Sequence, residues 1–435
     1  MAAFLGGCWL TPQLSAQPAI DLDLREALQR AGDANFAILI GQESVEARRQ
    51  QARRSRAGLL PTVDGSVAQS RAMAPNVGNF AADLPNVPER SFNNRFDALL
   101  RARLSALDIN RIADYRVALF DVEIAEYDLA ATIQDILQGI ALTYFNHLRN
   151  IARLEVLEAN IERDRTLLEI AENQLEAGVA TPIDVTRAEV QLAQNEIAKL
   201  QQETRVVDSA LRIKRILNLP LGTDLRISET LYLYADRRFA ALLEHARLET
   251  VLRDRPEYRR ERLTLERNEY ARRAAGWERL PSLEIGADWG YASSSITGSM
   301  REQWRVQAAL SFPLFDGFRI QANRLQAMSA VRQQSLIVED FEKEVDADLR
   351  FASHNLNSRA RQIEIARKQV ELSERELDLA LTRFREGVAD NRDVVTAQAN
   401  LAQANDTLVE AIFQYSLARL EFARTTGDVT RLLDE

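Results

Sequence analysis

Two stretches of this chain contain almost nothing that could stop a helix. Between Arg111 and Glu176 there is no proline and a single glycine, Gly139; between Arg319 and Glu386 there is neither. Apolar residues such as Ile133, Ile136, Ile140, Tyr144, Leu148, Ile151 and Leu154 recur at three- and four-residue spacing, which aligns them on one stripe of a helix. At about 1.5 Å per residue such a run spans roughly 100 Å, longer than any ordinary globular core. Each run stops at a glycine, Gly178 or Gly387, where a residue without Cβ can take the left-handed conformation that ends a helix. A second helix then opens with Asp184 or Asp393 in its first turn, where a carboxylate suits the helix dipole. Each half of the chain therefore holds a long helical hairpin.

The two turns are copies of each other. At an offset of 209 residues, Gly178, Val179, Ala180, Asp184, Val185, Ala188, Leu192, Ala193 and Gln194 meet identical residues, from Gly387, Val388 and Ala389 onward. Because the identities include the turn itself, they mark an internal duplication.

What precedes each long run has a period of two. In "LPSLEIGADWGY", Leu283, Ile285, Ala287, Trp289 and Tyr291 alternate with Ser282, Glu284, Gly286, Asp288 and Gly290; in "WRVQAALSF", Trp304, Val306, Ala308, Leu310 and Phe312 share one face. The first half repeats the device in "LLPTVDGSVAQS" and "RFDALLRARLS". The alternation predicts strands over about 60–71, 95–106, 281–292 and 303–313, apolar on one face and small or charged on the other. A further helix is expected before each pair, at about 24–59 and 239–279. The organisation expected is an apolar N-terminal segment (1–20), a first repeat (21–218), a linker (219–236), a second repeat (237–427) and a C-terminal tail (428–435).

Composition narrows the function. Aromatic residues make up 7% of the chain, and Ala, Leu, Glu, Arg and Gln dominate, as in long helices. A net charge of −9 and a pI near 5.3 exclude a basic nucleic-acid-binding face. The single cysteine, Cys8, leaves no internal disulfide or cysteine-based metal site. The first sixteen residues resemble the apolar core and cleavage region of a secretory signal, although no Lys or Arg precedes Arg25. The "LGGC" ending at Cys8 also has the form of a lipoprotein box that would lipidate Cys8, with fewer residues before it than such a leader needs. No later apolar run is long enough for a transmembrane helix.

Four strands with an outward apolar face cannot close a barrel alone, since about eight is the practical minimum. Either they form a soluble sandwich, or several chains contribute strands to one barrel. A strand of about ten residues tilted at about 45° matches the bilayer core.

The duplication, the "LP" opening each strand pair (Leu60-Pro61 and Leu280-Pro281), "FPLFDGFR" (Phe312 to Arg319), "RPE" (Arg255 to Glu257), "LNLPLG" (Leu217 to Gly222) and the paired "GVA" turns resemble the TolC-type outer-membrane efflux proteins over nearly the whole chain after Asp21. That resemblance implies a mainly α fold with a small β part. Three copies would build a trimeric α-barrel from their hairpins and a shared twelve-stranded outer-membrane β-barrel from four strands each. It implies a passive duct for efflux or type I secretion, in contact with outer-membrane lipid. A periplasmic adaptor (membrane fusion) protein and an inner-membrane RND or ABC transporter would supply substrate and energy. The adaptor would dock on the turns Gly178, Val179, Ala180 and Gly387, Val388, Ala389. Asp393 matches an aspartate of an acidic constriction ring in several relatives, while Thr396 stands where its companion would be. Asp184 matches an aspartate that in relatives latches the entrance to a Tyr and an Arg of the second hairpin; Phe384 and Ala389 occupy those positions here. Arg392 or Arg187 could supply the cation instead, in which case Arg392→Ala raises conductance; alternatively Asp184 and Asp393 only cap their helices. The first repeat is the more diverged copy, with Asn35-Phe36 where relatives often have Asn-Pro.

No cluster of reactive groups suggests an enzyme. His147, His245 and His354 lie in no metal-ligand spacing, and there is no nucleophile elbow, P-loop or dinucleotide fingerprint. No cofactor or metal is expected. The competing class is a soluble coiled-coil scaffold. With net charge −9 per copy, a trimeric duct is expected to favour cations modestly.

Overall fold

The computed structural model describes residues 20–75, 90–235, 247–386, 388 and 391–433. The N-terminal segment with Cys8, the loop of the first strand pair, His245, Gly387 and Ala389 lie outside the described residues. The elements are β1 (Ile20–Leu22), α1 (Leu24–Ala34), α2 (Phe36–Ala57), β2 (Thr62–Pro75), β3 (Arg90–Leu107), α3 (Ile109–Glu176), α4 (Pro182–Ile216), β4 (Leu225–Ile227), α5 (Leu248–Asp254), α6 (Pro256–Trp277), β5 (Ser282–Ser293), β6 (Arg301–Ser311), α7 (Arg319–Arg385) and α8 (Asn391–Thr425). Short 3₁₀ turns follow β4 (Leu231–Ala235) and α8 (Val429–Leu433). The chain is mainly helical with a small antiparallel sheet. Helices α3 and α7 hold 68 and 67 residues, and α4 and α8 hold 35 each. Both ends of α4 and α8, and the last residues of α3 and α7, stand 209 residues apart.

The helices before the strands are each broken. The run expected over 24–59 divides at Asn35, which leaves helical geometry and sends its side-chain Nδ2 to the Ile216 carbonyl at 3.1 Å. The run expected over 239–279 divides at Arg255, held extended because the ring of Pro256 disfavours helical geometry in the residue before it.

Two compact units result, each drawing on both sequence repeats. One contains residues 43–127 and 260–340, and holds a sheet in the order β2-β3-β5-β6, antiparallel throughout. Register places Gly65, Leu100, Trp289 and Trp304 in one cross-strand row. That face also carries Val63, Val67, Val306 and Leu310, all exposed. The opposite face is ionic: Arg95 bonds Asp97 at 2.7 Å, and Arg101 lies 3.9 Å from Asp288. Gly290 faces the same way, and β3 passes so close that a Cβ there would stand 2.0 Å from the Ala98 carbonyl oxygen.

The other unit contains residues 1–42, 128–259 and 341–435. Its main core joins Leu22, Leu28, Tyr144, Phe145, Phe413, Phe422 and Leu432. The segment expected as a linker is ordered here, since β4 pairs in parallel with β1 and Tyr234 is buried. Glu229 ties this region together, accepting from Tyr144 Oη at 2.6 Å, Tyr234 Oη at 2.7 Å and Leu24 N at 3.2 Å. The "RPE" residues belong to an ion network: Glu257 contacts Arg424 and lies 3.7 Å from Arg255, while Arg424 also meets Asp135 at 2.7 Å.

His147 is a packed residue, its Nδ1 2.7 Å from Ser209 Oγ, and burial pushes its pKa down to about 4. The unfolded chain protonates near 6.5 and so binds this proton first. Stability is therefore expected to fall as pH drops from about 6.5 towards 4, by on the order of 3 kcal/mol at most. Denaturation midpoints measured across that range should flatten in His147→Gln; an unchanged slope would remove His147 as the cause.

Candidate functional site

The two hairpin turns are the part of the chain that the duplication singles out. Helix α3 ends in a Schellman arrangement: Val179 N donates to Gln174 O at 2.9 Å, Gly178 N donates to Leu175 O at 3.0 Å, and Gly178 sits at φ +73°. The second turn repeats the longer bond one repeat later, Val388 N to Arg383 O at 3.0 Å. A side chain at Gly178 would have open space but a strained backbone.

After the first turn, Pro182 opens α4, where its missing N–H costs nothing. Asp184 turns back on Thr181, accepting from the backbone N at 3.0 Å and from the hydroxyl at 2.5 Å, with Arg187 Nη1 3.5 Å from its other oxygen. The Asp184 carboxylate is thus buried and occupied within its own turn. Its counterpart Asp393 is exposed, as are Arg392 and Thr396, whose hydroxyl bonds the Arg392 carbonyl at 2.8 Å. The equivalent aspartates therefore occupy different environments. Val179, Ile183 and Val388 present exposed apolar side chains around the turns.

Phe384, where relatives place a tyrosine, is buried in a second core with Leu167, Ala188, Leu377, Val394, Ala397 and Leu401. This core packs the end of one hairpin against the other. Three side-chain amides bridge the hairpins beside it, each donating to a backbone carbonyl: Gln174 Nε2 to Phe384 O at 3.0 Å, Asn391 Nδ2 to Asp184 O at 2.7 Å, and Gln398 Nε2 to Arg163 O at 3.4 Å. A little along α3, Asp164 is buried and accepts from Asn195 at 2.6 Å; burial raises its pKa.

Sequence reasoning did not single out Gln174, Asn391, Gln398 or Asp164. A signal did exist for two of them. Asn391 stands where the first copy has Pro182, and Gln398 falls with Val394, Ala397 and Leu401 on the buried stripe of α8. An amide on an apolar stripe needs a partner, and a difference between copies marks where.

Among the described residues no group of His, Cys, Asp and Glu is arranged to hold a metal ion. No described helix is long and apolar enough to cross a membrane.

Comparison with known proteins agrees with this architecture. The family model for outer membrane efflux proteins matches residues 27–219 and 248–428. The chain is 24% identical over 399 residues to the solvent efflux pump outer membrane protein SrpC of Pseudomonas putida, covering 89% of this chain and 82% of that one. It is 23% identical over 418 residues to the proteases secretion protein PrtF of Dickeya chrysanthemi, covering 94% and 87%. The crystal structure of the Campylobacter jejuni CmeC outer membrane channel superposes with a TM-score of 0.79 at 17% identity, covering 100% of this chain and 96% of that one. These matches run through both repeats, including the strand pairs that a soluble scaffold would leave without a role. With the duplicated hairpins and the four-stranded sheet already described, they place the chain in the outer membrane efflux protein family, a family of channels and not of enzymes.

Proposed function

We propose that three copies of this chain close into one exit duct, a shared twelve-stranded β-barrel in the outer membrane continued by a helical barrel in the periplasm. It would pass small molecules or polypeptides delivered by an inner-membrane RND or ABC transporter and a periplasmic adaptor. The observation that carries this reading is the sheet: its apolar face is exposed, and β2 and β6 each have one edge with no strand partner among the described residues. Such a sheet is satisfied in a bilayer only when its edges meet other copies.

The hairpins offer the matching edges. Cross-helix bonds, Asn195 to Asp164, Arg153 to Glu410 and Asn400 to Glu376, order the helices α4, α3, α8, α7. Both outer helices carry exposed apolar residues seven apart, Ile183, Val190 and Ile197 on α4 and Ile365, Leu372 and Leu379 on α7. Counted from the turns, the first row stands 1, 8 and 15 residues into α4 and the second 6, 13 and 20 residues before the end of α7. The rows therefore interleave when α7 of one copy runs antiparallel to α4 of the next. Glu189, Glu196 and Glu203 flank one row, and Arg361, Lys368 and Arg375 the other.

The entrance would be framed by Asp184, Asp393, Arg187, Arg392, Phe384 and Thr396, and the adaptor would seat on the apolar side chains of the turns. The names of SrpC and PrtF speak of solvent efflux and of protease secretion, so the family resemblance spans both cargo classes.

Cysteines at Val190 and Leu372, bridged by a bifunctional maleimide in the detergent-purified protein, should yield a species of three chains. The same preparation should form channels in a planar bilayer with reversal potentials favouring cations, because the arginines of the sheet-bearing unit outnumber its carboxylates and the net negative charge resides in the helical unit. A monomeric product without conductance would refute the duct.

A further inference from the structure

We infer that the entrance of this duct is held shut by uncharged amide bonds between the two hairpins of each chain, with Asn391 as the principal latch. The inference rests on the duct reading above and concerns how its entrance is regulated. Opening a tunnel at the turns requires one hairpin to move against the other, so every bond that bridges them resists opening. Asn391 Nδ2 donates to Asp184 O at 2.7 Å, Gln174 Nε2 to Phe384 O at 3.0 Å, and Gln398 Nε2 to Arg163 O at 3.4 Å. Asn391 is fully buried and Gln398 nearly so, which means water cannot readily replace the protein partner while the hairpins are together.

The Asp184 carboxylate does not take this role. It is engaged by Thr181 and Arg187 of its own helix start, and the link across the hairpins leaves from its backbone carbonyl instead. A carbonyl acceptor is the same whatever residue supplies it, and an amide donor has no proton to lose near neutral pH. The three bonds therefore do not titrate across the range in which a carboxylate or imidazole latch would. The adjoining apolar contact of Phe384 with Val394 and Leu401 has no charge to titrate either. Release then has to come from mechanical displacement of the turns, the motion a docking adaptor would impose, and the latch itself does not answer to acidity or salt.

The test exploits the near identity of Asn and Asp in shape. Asn391→Asp keeps the donor only while its carboxyl is protonated, and burial favours that neutral form. In single-channel recordings with purified protein, the parent's conductance should be the same at pH 5 and pH 8 after correction for bulk conductivity. Asn391→Asp should match the parent at pH 5 and rise several-fold by pH 8, and Asn391→Ala should be high at both. If Asn391→Asp fails to assemble, the pair Gln174→Leu with Gln398→Leu, which removes the other two donors, should raise conductance at both pH values. Parent-like conductance in Asn391→Ala and in the double variant would overturn the latch while leaving the duct in place. A parent that forms no channel would remove the duct and the latch with it.

Discussion

Gly290→Ala is expected to abolish channel formation, although it adds one methyl group. A Cβ at position 290 would stand 2.0 Å from the Ala98 carbonyl oxygen and 2.9 Å from the Leu99 Cα, both backbone atoms of the neighbouring strand. A flexible side chain could swing away; a paired strand cannot move without losing the ladder bonds that β3 makes to β5 along its length. Overpacking that side-chain motion cannot relieve costs at least about 3 kcal/mol, and closing a ring from three such sheets would multiply the loss. Gly65→Ala is the control, since a Cβ there makes an ordinary 3.7 Å contact with Leu100. The yield of detergent-extracted trimer checks the pair. Gly65→Ala should resemble the parent, and normal assembly of Gly290→Ala would show that β3 and β5 do not approach as described.

Glu257→Ala should destabilise the helical unit nearly as strongly. Burial pushes the Glu257 carboxyl up, but its contact with Arg424 outweighs this and holds it below its ordinary value. Removing it leaves Arg255 and Arg424 facing one another in a poorly hydrated site, with Asp135 the remaining partner of Arg424. Breaking a buried pair from one side costs about 3–5 kcal/mol, because the surviving charge keeps its desolvation penalty. The sign with pH follows from the lowered pKa: the contribution is present above the ordinary carboxylate value and is lost as pH falls through the depressed one. Thermal unfolding at neutral pH should show Glu257→Ala well below the parent, with the gap closing in strong acid. A gap that does not change with pH would mean that lost packing, and not charge, is responsible.

The parts of the fold that could be read from the amino acids are those set by local geometry. The helices α3 and α7 were legible because proline and glycine are so scarce over those lengths, and the turn because Gly178 and its copy both sit where a helix must reverse. Alternation displayed the sheet face, since side chains of one strand must point to opposite sides. Other features depended on partners distant in the chain. Asn35 breaks its helix to reach Ile216, and no residue near Asn35 announces that. The break at Arg255 was legible in principle from Pro256. Strands β1 and β4 have three residues each and no periodicity to detect. At the candidate site, Asp184 was singled out as an aspartate, yet the atom that reaches the other hairpin is its carbonyl oxygen, which every residue possesses. "RPE" was likewise visible as a marker, whereas its meeting with Arg424 required the fold.

The pairing of β1 with β4 also constrains the order in which the chain can mature. Leu22 shares its core with Tyr234 and, much later, with Val429 and Leu432. A chain emerging from its amino end thus presents Leu22 and Leu24 long before the residues that cover them arrive, and contacts of such sequence separation form slowly. Through that interval the leading segment carries exposed apolar surface beside unpaired strand edges, the combination that aggregates. The helical unit cannot complete its core until residue 432 has been delivered, so an assembly line for this protein needs something to hold the front of the chain until the back arrives.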